Sequence, residues 1–199
     1  MAACGEDERP PPAREPARTV PVATAEPTLA AEGRLGRPVT VPAQANIFGA
    51  GRSAAPEPGG GGGGVLPPSW RLPDGKRRVV TVPRARGRVN PIVDLAPENG
   101  AGGDGVGPTD VRSHQGISGI VDRRNGMFLV GVFLTDAPPR KPAPPRLRFT
   151  RGAVPLPRPR IGQTFFIGDG RRRSFRVPAE ATRLFLGFAD AYLYEGGPG

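Results

Sequence analysis

Asp110, Ser113 and His114 are the residue types of a hydrolytic triad, and they lie within five positions of one another. A triad is an arrangement in space, however, and adjacency along the chain does not produce it. The neighbouring Gly116-Ile117-Ser118-Gly119-Ile120 lacks the last glycine of the nucleophile elbow, the sharp turn that exposes a catalytic serine. The run Gly59–Gly64 suggests a phosphate cradle, but Gly75-Lys76 is followed by Arg77 where a P-loop needs a hydroxyl for magnesium. Asn99 and Asp104 in PENGAGGDGVG offer oxygen donors to calcium without EF-hand spacing, and Gly-Asp-Gly reads more simply as turn chemistry. One cysteine and one histidine exclude an intrachain disulfide and an ordinary zinc cage. Any metal here is therefore held by oxygen. These residues predict a binding or structural protein rather than an enzyme.

The elements that position them are short. A chain of 199 residues fits one domain with an appended segment. Residues 1–36, rich in Pro, Ala, Glu and Arg without apolar period, read as a disordered tail or spacer, and 37–199 as the folded domain. Within it, residues 52–64 read as a flexible loop. Val39 and Val41 alternate with polar neighbours, which predicts a first strand ending at Pro42. Trp70 and Leu72 lead into Pro73-Asp74-Gly75 and out through Arg78–Val82, a predicted hairpin. Asn125-Gly126 between Ile117–Val121 and Met127–Leu134 predicts a second hairpin, whose apolar second arm is buried on both faces. APPRKPAPPRLRF predicts a proline-stiffened crossing between sheets, and RIGQTFFIGDG and SFRVP two more strands. In Thr182–Phe188, Leu184, Leu186 and Phe188 share one face and Phe185 takes the other. Many short strands without a helical period predict an all-β sandwich.

The net charge of +10 has two readings: attraction to nucleic acid, anionic lipid or acidic polysaccharide, or arginines that are merely solvated. Basic clusters stand at Lys76–Arg78, Arg84/Arg86/Arg88 and Arg171–Arg173. No RNA- or DNA-binding motif accompanies them, and Phe128, Phe133, Phe165 and Phe185 read as core, so nucleic acid is not the expected partner. No run of about 18 apolar residues predicts a membrane span. Met1–Gly5 contains no apolar signal region. Cys4 reads two ways: as a chance cysteine, or as the lipidated residue of a bacterial lipoprotein signal that begins upstream. The second reading implies an extracytoplasmic, membrane-tethered protein.

VPAEATRLFLGFADAYLYEGGPG, at the C-terminus, resembles the penultimate strand and metal loop of LecA-type calcium-dependent galactophilic lectins and of secreted bacterial proteins with a galactose-binding-like sandwich. More weakly, PVTVPAQANIFGAG resembles the family's first strand and loop, and Asp110–Gly119 its sugar-contacting segment. The resemblance implies a jelly-roll fold and binding of carbohydrate or cell-surface polysaccharide. It implies calcium held by Asp190 and by the backbone carbonyl of Phe48, with Gln115 on the sugar. Calcium accepts six to eight oxygens, so such a site needs no Cys or His. The sequence ends at Gly199, before the family's Asn pair and closing strand, which predicts an incomplete calcium site and a missing last strand.

Overall fold

A computed structural model describes residues 23–29, 38–54, 65–75, 78–89, 99–100, 108–126, 128–149, 157–168 and 173–188. In chain order the strands are β1 (Ala23–Leu29), β2 (Val39–Val41), β3 (Ser69–Arg71), β4 (Val79–Arg86), β5 (Arg88–Val89), β6 (Asn99–Gly100), β7 (Thr109–Val111), β8 (Ile120–Asp122), β9 (Leu129–Leu134), β10 (Leu147–Phe149), β11 (Phe165–Phe166), β12 (Arg173–Arg176) and β13 (Arg183–Phe188). The only helical element among the described residues is a 3-10 turn at Ile47–Gly49, so the fold is all-β.

One four-stranded sheet has the order β12-β4-β1-β2 and is antiparallel throughout. A second, also antiparallel, has the order β11-β9-β13-β3. Val80, Val82 and Phe175 of the first sheet pack against Leu129, Phe133, Phe165, Leu184, Leu186 and Phe188 of the second in one buried cluster. The other face of the second sheet carries Val130, Val132, Leu134, Phe166 and Phe185 into a second cluster with Ile47, Phe48, Ile117 and Ile120. A small third sheet, β10-β8-β7, covers part of that side, with β10 parallel to β8. Burial of each large apolar side chain contributes roughly 1.5–3 kcal/mol relative to exposure, so β9, with residues in both clusters, anchors them together. All six residues of β9 are buried, as its continuous apolar sequence predicts.

Two glycines permit this layering. A Cβ on Gly131 would lie 2.6 Å from the Phe165 ring, and one on Gly187 would lie 2.6 Å from the Ala45 carbonyl oxygen. The second close approach lets Ala45–Asn46 run alongside β13, where Phe188 N–H donates to the Ala45 carbonyl at 2.7 Å.

Neither predicted hairpin forms. β3 pairs with β13 and β4 with β1 and β12, so Pro73-Asp74-Gly75 carries the chain from one sheet to the other. The buried Arg78 fixes that crossing, donating to the carbonyls of Pro73, Pro178, Ala179 and Ala181 at 2.7–3.2 Å. β8 pairs with β7 and β10 while β9 pairs with β11 and β13, so Asn125-Gly126 also joins two sheets. There the Asp122 carboxylate accepts from the N–H groups of Arg124 and Asn125, a side-chain turn that competes with a tight hairpin. The proline-rich segment does cross between sheets, from β9 to β10. β1 lies inside the segment read as spacer; its bulge between Glu26 and Thr28 accommodates Pro27, which cannot donate to a ladder.

Candidate functional site

Gln115 stands at the tip of the tightest hairpin turn described in the protein. His114 N–H donates to the Ile117 carbonyl at 2.9 Å and Ile117 N–H returns to the His114 carbonyl at 3.0 Å. The two residues between them, Gln115 and Gly116, have φ of 46° and 94°. Such a two-residue loop requires left-handed backbone at both positions, which Asn-Gly supplies at least cost. Gln115 is the single non-glycine residue with positive φ among those described, and it is exposed. Strain held at an exposed polar side chain is a mark of functional sites.

Phe48 reaches the same place from another direction. Asn46 Oδ1 accepts from Phe48 N–H at 3.0 Å and so caps the Ile47–Gly49 turn. The Phe48 ring is fully buried, with the His114 ring edge-on to it at 5.9 Å. Its carbonyl accepts from Arg52 Nε at 3.1 Å, and Arg52 Nη2 donates to the Gln115 carbonyl at 2.5 Å. Arg52 can turn back because Gly51 has φ of 72°, in a space where a Cβ would meet the Leu134 side chain at 2.9 Å. Arg52 is half-buried, and desolvation pushes its pKa down from the ordinary value.

Beside the turn lies a groove of about 370 Å³ lined by Gly116, Pro139, Arg140, Pro142, Pro144 and Ile161, among others. A Cβ on Gly116 would lie 2.7 Å from the Arg140 backbone, so the turn packs directly on this wall. Asp136, which follows the lining residue Thr135, accepts from Arg71 at 3.3 Å and from Thr182 at 3.0 Å.

The triad-like residues have structural partners. Asp110 pairs with Arg146, Ser113 Oγ accepts from Gly119 N–H at 3.2 Å, and the buried Ser118 hydroxyl accepts from Thr164 N–H at 2.9 Å.

The chain matches no family model, no curated protein and no solved structure.

Of the residues nominated from sequence, the structure brings Phe48 and Gln115 together through Arg52; Asp190, Asp104 and Cys4 lie outside the described residues. Among the described residues no three His, Cys, Asp or Glu side chains gather as a metal cage. The Phe48 carbonyl, the described one of the two calcium donors that the lectin resemblance implies, already faces a guanidinium. A divalent ion on the same oxygen would meet that positive charge at close range, so the Phe48 carbonyl as placed here serves the guanidinium. Sequence reasoning missed Arg52, placed in a flexible loop, and Arg140, placed in a connection. The only local signal for Arg52 is Gly51 immediately before it.

Proposed function

We propose that the protein is a noncatalytic saccharide-binding module with a jelly-roll-like, galactose-binding-type sandwich, and that it works outside the cytoplasm. The observation that carries this reading is the exposed Gln115, held at φ 46° next to Gly116, which lines the proline-walled groove. A strained polar donor–acceptor next to an apolar-walled groove suits a ligand with hydroxyl groups and a partly apolar ring face. The resemblance of VPAEATRLFLGFAD to the LecA-type lectins points the same way. Tethering through a lipid on Cys4 belongs to the same reading, and mass measurement of the mature N-terminus in a bacterial host tests it.

The direct test is calorimetry of the full chain against galactosides and galacturonosides, with calcium and with EDTA, in the parent and in Gln115→Ala. Saccharide binding that weakens in Gln115→Ala supports the reading. No heat and no thermal shift with any saccharide overturns it.

A second reading rests on Arg84 and Arg86, which are exposed on either side of the buried Ala85 and form a basic stripe on the first sheet. A polyanion held there would show a steep fall of affinity with salt.

A further inference from the structure

We infer that the saccharide recognised at the Gln115 turn is acidic, a hexuronate-containing chain whose carboxylate is bound by Arg52 without calcium. This rests on the saccharide-binding reading and names the ligand class of the same site.

A guanidinium carries five N–H donors in a planar fork. Arg52 spends Nε–H on the Phe48 carbonyl and one Nη2–H on the Gln115 carbonyl. Among the described residues no other acceptor and no carboxylate engages it, which leaves both Nη1 hydrogens and the second Nη2 hydrogen. Two backbone carbonyls therefore hold the fork in place while its outer edge stays available. A cation fixed in advance binds an anion with less loss of side-chain freedom than a mobile surface arginine does. Carboxylate and guanidinium match as a bidentate pair, a geometry that a neutral hydroxyl cannot reproduce.

The surroundings favour the same charge. Arg140 lines the groove and is exposed, and its backbone packs against Gly116. Asp136, the acidic residue beside the groove lining, is already held by Arg71 and lies 3.7 Å from Arg183 Nε. Arg140 thus sets a positive charge on the proline-rich groove wall, with Gly116 of the turn that Arg52 braces on the same lining. At about 370 Å³ the groove is within the range of about 300–1,000 Å³ usual for small-ligand sites and is sized for a sugar ring or two.

The experiment is calorimetry on the full chain in EDTA with three probes: a galacturonic acid trimer, its methyl ester and the neutral galactose trimer. The acid should bind about tenfold or more tightly than either neutral probe, the difference expected of one charge-assisted pair, and added calcium should leave that ratio unchanged. Arg52→Gln should bring the acid-to-ester ratio down to about threefold or less, the share left to Arg140. Arg140→Gln, at an exposed position, should lower it by about threefold and reduce its salt dependence. Because the ester probe leaves the protein untouched, the test stands even if Arg52→Gln does not fold. Equal affinity for acid and ester, or binding of acid only when calcium is present, overturns this inference while the saccharide reading survives. No binding of any of the three overturns both.

Discussion

Arg52 holds Gln115 from 63 residues away in the chain, with Nη2 on its carbonyl at 2.5 Å, while Nε of the same guanidinium holds Phe48 at 3.1 Å. A loop arginine thereby becomes the brace of a strained turn. Replacing it with methionine keeps the apolar stem and removes both hydrogen bonds. Loss of about 1–3 kcal/mol in urea unfolding is expected, since charged donors to carbonyls are worth more than neutral ones. A change within about 0.3 kcal/mol would mean that the brace is not stabilising.

Gln115 and Gly116 separate stability from binding. Gln115→Gly relieves left-handed backbone on a side-chain-bearing residue, so a gain of about 0.5–1 kcal/mol in unfolding free energy is expected together with weaker saccharide binding. Gly116→Ala does the reverse. It adds a Cβ 2.7 Å from the Arg140 backbone at φ 94°, and a loss on the order of 2 kcal/mol should appear as a lower melting temperature.

Arg78 predicts the largest single loss outside the aromatic core. It is 6% exposed and satisfies four carbonyls from two chain segments. Arg78→Met removes the guanidinium from all four oxygens, of which Pro178 keeps the Ala181 N–H, at a cost of about 3–5 kcal/mol, and Arg78→Lys recovers only part because an ammonium lacks the fork. Equilibrium denaturation of the two variants in parallel measures the difference.

The double-faced burial of β9 makes neighbouring positions equally sensitive. Phe133 enters one core cluster and Val132 the other. Phe133→Leu and Val132→Ala should each destabilise by about 1–3 kcal/mol, whereas a strand with one solvated face would tolerate every second substitution. Chemical denaturation midpoints decide between these patterns.

The apolar run from Met127 to Leu134 and the alternation of Leu184, Leu186 and Phe188 against Phe185 were enough to predict an all-β chain with a central strand buried on both faces. Side-chain period and burial are local properties, and they are written directly in the order of residues. Pairing is not local. Asn125-Gly126 and Pro73-Asp74-Gly75 carry hairpin composition, yet each joins two sheets, because Asp122 and Arg78 satisfy the backbone in other ways. The true two-residue hairpin formed at Gln115-Gly116, a pair with weaker turn preference than Asn-Gly. The candidate site shows the same division. Sequence nominated Phe48 and Gln115 by resemblance. Only the tertiary fold placed Arg52 between them and Arg140 beside them, since contacts across so many residues depend on which sheets pack together rather than on neighbours in the chain.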